Sequence, residues 1–334
     1  ALHRVRFYGE INPHYFQLLL ECYKGNQILD AYSKGMTIKH LVQTALNTIV
    51  FPLPPLSEQT RIVDAVNRLL PYLHSYDRAE QKLSALNTGF PEALKKSILQ
   101  EAVQGKLVPQ DPSDEPAEAL LGRIRAEKQR LIKEGKIKKD KHESAIFRRD
   151  NSHYEKLNGV ERCIDDELPF EIPPQWCWVR FESTITLLSG TDFAPDEYNS
   201  AGKGIAYITG ASNIVDSQIL VNRWTETPRQ IAHAGDVLLV CKGSGYGKTV
   251  ICNIAQAHIA RQIMAVQKSD LLDMQYVKLF LDSSFDLLKA KGQGVIPGID
   301  RTSVLHLLFP LPPLAEQHRI VQRIEELLPL VKGL

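Results

Sequence analysis

Gly243-Ser244-Gly245-Tyr246-Gly247-Lys248-Thr249 has the residue types that cradle a nucleotide phosphate, with glycine amides and a lysine ahead of a hydroxyl. Lys242 stands where that motif needs its first glycine, and Val250-Ile251-Cys252-Asn253-Ile254 reads as a strand where a helix is required. The stretch is therefore read as a glycine-rich hairpin. Such a hairpin would set Lys242, Ser244, Tyr246 and Lys248 against DNA, lysines meeting phosphate or guanine and hydroxyls adding bonds. The plainer reading is a tight turn with solvated lysines. Asn12-Pro13-His14-Tyr15 approaches the Asn-Pro-Pro-Tyr motif of adenine methyltransferases, but its internal counterpart Asp273-Met274-Gln275-Tyr276 keeps the short polar residue and the tyrosine without the proline. A helix cap accounts for both. No glycine-rich loop for S-adenosylmethionine is found, and Pro195-Asp196 has no acid-x-Lys pair in the stretch that follows, so a nuclease centre is unsupported.

Other candidates are weaker singly. Thr209, Ser212, Asn213, Arg261 and Gln262 fall at predicted strand ends and carry base-reading chemistry, although each is also an ordinary turn or capping residue. Cys22, Cys163, Cys177, Cys241 and Cys252 are odd in number and nowhere spaced Cys-x-x-Cys, which argues against a disulfide framework or a zinc site. The histidines, His142 and His153 among them, lack metal-ligand spacing.

The elements that must position these residues are legible as a repeat. Phe-Pro-Leu-Pro-Pro-Leu-x-Glu-Gln-x-Arg-Ile-Val occurs at Phe51–Val63 and Phe309–Val321, an offset of 309 − 51 = 258 residues. That period is far beyond a solenoid's, so a whole domain is duplicated. After each proline block an apolar stripe at helical spacing follows: Ile62, Val66, Leu69, Leu70 and Leu73 in the first copy, and Ile320, Ile324, Leu327 and Leu328 in the second. Kinks are expected at Pro71 and Gly89-Phe90-Pro91. With a small gap, His14-Tyr15-Phe16 aligns with Gln275-Tyr276-Val277.

Gly105 should stop the first helix and Gly135 a second that starts near Ala117. The polar, aperiodic stretch 136–166 reads as a flexible linker. From Arg123 to Arg149 basic residues outnumber acidic ones 11 to 4, against a whole-chain charge of +1, and the run Lys128 to Lys141 is read as a solvated helix face, the alternative being a phosphate or partner contact. Strands are predicted at 205–209, 219–222, 236–241, 249–253 and 263–267, and a helix at 276–288. With 43% hydrophobic residues and no long apolar run or signal-peptide start, the expectation is a cytoplasmic location.

A variable domain, a Pro-Leu-Pro-Pro-Leu-x-Glu-Gln joint and a long helix, all occurring twice, resemble the DNA specificity subunit of type I restriction-modification enzymes. Pro173-Pro174-Gln175-Trp176, Gly235-Asp236-Val237-Leu238-Leu239 and Gln104-Gly105-Lys106-Leu107 look like that family too. The resemblance implies α/β (α+β) target recognition domains with a mixed sheet, plus long helices forming an antiparallel coiled-coil spacer. It divides the chain into 1–50, the end of a first recognition domain; 51–107, a first conserved helical region; 108–166, a helix and charged linker; 167–308, a second recognition domain; and 309–334, the start of a second helical region. On this reading the first domain lacks roughly 90 residues at its front, from ordinary domain length, and the chain is truncated at both ends.

The implied role is non-catalytic. Recognition domains read halves of a bipartite double-stranded DNA site, and the helices set its spacing and dock two methyltransferase subunits, with a restriction-translocase subunit joining. S-adenosylmethionine, ATP and magnesium belong to those partners, and no cofactor is expected on this chain. The alternative is a truncated scaffold that binds the partners without reading a complete site.

Overall fold

The computed structural model describes residues 4–34, 40–137, 144–243, 245–291 and 298–332. The chain divides into two units, Ala1–Gly89 and Phe90–Leu334.

The first unit holds α1 (Pro13–Gly25), β1 (Ser33–Lys34) paired with β2 (His40–Leu41), α2 (Gln43–Leu46) and the front of α3 (Leu56–Val103). Asn12 caps α1, its side chain accepting from the His14 amide, and Pro13 takes the first helical turn, where its missing N–H costs nothing. Helix α3 is a single helix through Pro71, Gly89 and Pro91, where kinks are expected. Pro71 is exposed, so water can satisfy the carbonyl its ring leaves unpaired. Gly105, at φ 71°, follows the helix end as the glycine stop predicts.

The second unit continues with α4 (Ala117–Lys133), whose face Ala117, Leu120, Leu121 and Ile124 is buried. It ends at Gly135, φ 71°, where the Gly135 and Lys136 amides return to the Ile132 and Leu131 carbonyls. The expected linker over 136–166 is overturned. Among its described residues stands an antiparallel meander, β3 (Ser144–Arg149), β4 (Ser152–Leu157) and β5 (Val160–Cys163). Asp150-Asn151 and Asn158-Gly159 make its turns with positive φ at every position, the hairpin geometry that matches strand twist. Polarity hid it, because its one buried charge, Glu155, is neutralised from elsewhere: Arg180 and Arg162 donate to it, and Ser144 bonds it.

Beyond the meander lie β6 (Cys177–Arg180), β7 (Leu187–Ser189), β8 (Ile205–Ile208), β9 (Ile214–Val215), β10 (Gln218–Ile219), β11 (Trp224–Thr225), β12 (Ile231–His233), β13 (Val237–Val240), β14 (Thr249–Ile251), β15 (Gln256–Ile259) and β16 (Ile263–Val266). Then follow α5 (Met274–Ser283), α6 (Phe285–Lys291), α7 (Arg301–Leu305), β17 (Leu308–Leu311) and α8 (Leu314–Lys332). Two four-stranded sheets form the body of the second unit: mixed β11-β8-β15-β12, with β8 and β15 parallel, and antiparallel β14-β13-β16-β7. Strands β13 and β16 are buried along their whole length, which is why they read as continuous apolar runs. The 205–209, 236–241, 249–253 and 263–267 expectations correspond to β8, β13, β14 and β16. The stretch 219–222 contributes only its first residue to a strand, β10.

Each joint is fastened by the same hydrogen bonds. In the first unit Tyr15 Oη donates to the Pro52 carbonyl at 2.9 Å, the Asn12 amide to Gln59 Oε1 at 2.8 Å, and Gln59 Nε2 to the Pro54 carbonyl at 2.8 Å. In the second, Tyr276 Oη donates to Pro310 at 3.0 Å, the Asp273 amide to Gln317 Oε1 at 3.0 Å, and Gln317 Nε2 to Pro312 at 3.0 Å. Prolines lack N–H but keep their carbonyls, so a proline block offers acceptors that a buried carboxamide and a tyrosine can meet.

Candidate nucleic-acid interface

The sheets converge their loops at one place. The Cys241 amide donates to the Gln262 carbonyl at 2.7 Å and the Ala260 amide to Ile208 at 2.9 Å, tying the ends of β13, β15 and β8. The Ile299 amide donates to the Cys241 carbonyl at 2.8 Å, and the Gly190 amide to Ile263 at 3.1 Å. Around this junction Ser212, Lys242, Arg261 and Gln262 are all exposed. Gln262 reaches over it: Cβ atoms added at Gly210 and Gly243 would stand 2.7 and 3.5 Å from its Oε1. Glycine at 210 leaves the carboxamide room, while at 243 it is the φ of 90° that favours glycine.

Arg261 pairs with Asp192 at 3.3 Å, both side chains largely exposed, and its amide donates to the same carboxylate at 2.9 Å. That surface ion pair is weak and exchangeable. Arg301, which sequence reasoning passed over, joins the junction by donating to Ser189 Oγ at 3.1 Å. No local signal marks it, since it opens a five-residue helix far along the chain.

Other predicted residues have different work. Asn213 is fully buried; its Oδ1 accepts from the Thr209 amide and hydroxyl at 2.9 and 3.0 Å, and its Nδ2 donates to the Leu220 carbonyl at 2.8 Å. It cannot touch a base and instead shapes the loop, and it engages the Thr209 hydroxyl. Tyr246 is half-buried against Phe285, ring centroids 5.6 Å apart. Lys248 is exposed and lines a cleft of about 490 Å³ with Lys95, Lys96 and Lys278, but Glu92, Asp216, Asp282 and Asp286 balance those charges. Ser244 lies outside the described residues. The 242–248 stretch joins antiparallel β13 and β14, so it is a hairpin, without the strand-to-helix setting of a phosphate loop.

The helix stripes also divide. Ile320 and Ile324 are 0% and 2% exposed and belong to the core with Leu120, Leu121 and Trp176, so they are not a surface for another chain. Leu328 packs against that core, and Leu327 is half-buried. In the first copy Ile62, Val66 and Leu70 are half-buried, while Leu69 and Leu73 are exposed.

Burial sets the chemistry elsewhere. The Cys177 and Cys241 thiols are pushed up to about 12 by desolvation, so neither is an activated nucleophile at neutral pH, and burial raises the Glu316 carboxyl. Among the described residues no group of His, Cys, Asp or Glu is arranged to hold a metal, and no helix is long and apolar enough to cross a membrane.

Residues 2–80 match the family description "Type I restriction modification DNA specificity domain". The specificity subunit of the Escherichia coli type I restriction enzyme EcoAI is 32% identical over 251 residues, covering 71% of this chain and 40% of its own length. This chain is related to the specificity subunits of type I restriction enzymes. The EcoEI specificity subunit of the same organism is 31% identical over 256 residues, covering 70% of this chain and 39% of its own length. The chain thus spans about two fifths of the length of these curated relatives. A solved chain reported for complex assembly and conformational transition of a type I R-M system covers 96% of this chain and 64% of its own, with a TM-score of 0.57 at 21% identity. The mixed α/β fold with a long helix is therefore common to both.

Proposed function

We propose that this chain is a non-catalytic DNA-reading component of a type I restriction-modification complex, and that its second unit reads one half of a bipartite site. The observation that carries the reading is the junction of strand-end loops, which gathers Ser212, Lys242, Arg261, Gln262 and Arg301 where the backbone is pared down to glycine. Lysine and arginine there would position phosphates, and Gln262, whose carboxamide can donate and accept together, would read a base edge. Double-stranded DNA and methyltransferase subunits are the partners this implies, with S-adenosylmethionine, ATP and magnesium carried by the partner subunits. The long α3 is the element suited to setting half-site spacing.

The test is assembly with a cognate methyltransferase subunit, followed by selection of bound sequences from a random duplex pool. A defined half-site should emerge with the wild-type chain, and Gln262→Ala should relax one position of it. Unselective binding by the assembled complex, or selection unchanged in both Gln262→Ala and Arg301→Ala, would overturn the assignment.

A further inference from the structure

The turn between β15 and β16 is tight. The Ile263 amide donates to the Ala260 carbonyl at 2.9 Å, which places Arg261 and Gln262 at the two central positions, both exposed. A second strip of chain is stitched to this turn. The Thr191 amide donates to the Ile259 carbonyl at 3.0 Å and the Gly190 amide to Ile263 at 3.1 Å. The buried His258, whose Nδ1 accepts the Arg229 and Gln230 amides, donates from Nε2 to the Thr191 carbonyl at 2.8 Å. A Cβ at Gly190 would overlap the Ala260 carbonyl, so only glycine lets the two backbones lie this close.

Asp192 follows directly on this strip. Its Oδ1 accepts from the Arg261 amide at 2.9 Å, and its Oδ2 pairs with Arg261 Nε at 3.3 Å. The ion pair by itself adds little in water, but the backbone bonds hold the carboxylate beside the arginine whether or not the pair is made. Lys242 and Arg301, the other cations of the junction, have no carboxylate partner among the described residues.

That difference separates two kinds of contact. A phosphate approaching Arg261 would meet the fixed negative charge of Asp192, whereas one approaching Lys242 or Arg301 would not. Asp192 also engages Nε and leaves the Nη1–Nη2 fork, which makes no hydrogen bond or ion pair among the described residues. The fork matches an uncharged edge with two acceptors side by side, and in the major groove that edge is N7 and O6 of guanine. Duplex covering the pair would exclude water and strengthen it, fixing the guanidinium while it reads.

We propose that Arg261 reads a guanine through its Nη1–Nη2 fork, at a position distinct from the one Gln262 reads, and that Asp192 is its positioning residue. The proposal rests on the DNA-reading assignment above and supplies it with a base.

The test uses the complex assembled with a cognate methyltransferase subunit. Sequences are selected from a random duplex pool, and affinities for matched and mismatched duplexes are measured by anisotropy over a range of salt. The wild-type half-site should contain a guanine whose replacement weakens binding about tenfold. Arg261→Lys keeps the charge and loses the fork, so it should abolish that preference alone and leave the salt slope unchanged. Asp192→Ala should cut the same preference about threefold and, by removing a negative charge, tighten binding to non-cognate duplex, which loss of a merely structural residue would not do. Asp192→Asn, whose Oδ1 can still accept the Arg261 amide, should act in the same direction and separates the charge from the fold of the loop. A half-site that the wild type selects and Arg261→Lys leaves intact overturns the inference while sparing the DNA-reading assignment. So does an Arg261→Ala variant that weakens all duplexes alike, the mark of a phosphate contact. Undiminished guanine preference in both Asp192 variants overturns the positioning role. Unselective binding by the wild type overturns the DNA-reading assignment and this inference with it.

Discussion

Replacing Gln317 with alanine tests whether the second joint is locked to α5 by the buried carboxamide. Gln317 is 0% exposed, and its two bonds, from the Asp273 amide and to the Pro312 carbonyl, both join it to backbone groups. Orphaning a buried backbone donor or acceptor costs about 1–3 kcal/mol each, and the emptied volume adds about 1 kcal/mol. The sum, about 3–7 kcal/mol, is a large part of a domain's stability. Trp176, Trp178 and Trp224 are the only tryptophans of the chain, and all lie in the second unit, so fluorescence in guanidinium reads that unit's unfolding. The matched change Gln59→Ala removes the same two bonds from Asn12 and Pro54, which are only half-buried, so water replaces part of the loss. Its cost should be about 1–2 kcal/mol, read on the helical signal. A Gln317→Ala loss under about 1 kcal/mol, or a loss no larger than that of Gln59→Ala, would refute the claim that burial of this clasp carries the joint.

Acid should undo the meander through Glu155. Bonds from Arg180, then from Ser144 and Arg162, hold its carboxyl down to about 2 from an ordinary 4.5. A lowered folded value means that the stabilisation is complete above pH 4.5 and is lost as pH falls toward 2, a total of about 3 kcal/mol at about 1.4 kcal/mol per unit. Urea midpoints across that window should fall steeply in the wild type and less steeply in Glu155→Gln. Gly247→Ala should destabilise the second unit by about 3 kcal/mol, because φ is 91° there and a Cβ would overlap the Phe285 ring, and a thermal melt checks it. Lys242→Ala in the assembled complex should weaken binding to all duplexes alike and reduce the slope of log affinity against log salt by about 0.9, measured by anisotropy.

The parts of this molecule that repeat were legible and the parts that depend on distant partners were not. The doubled proline block and the stripes behind it are local patterns, so α3, α4, β13, β14 and β16 follow from spacing alone. The meander carried its turn signals at Asp150-Asn151 and Asn158-Gly159, yet Glu155 on a buried face makes no sense without Arg180, 25 residues on. Asn213 misleads for the opposite reason. An amide at a strand end suits a base, but the same amide suits its own loop's backbone, and only the fold decides which it meets. Arg301 reaches the junction from another element altogether. The pair Glu58 and Glu316 joins both lessons: identical in sequence, one is buried under Trp176 and Gln110 and the other stands in solvent. A repeat therefore predicts what a residue can bind more securely than what it has bound.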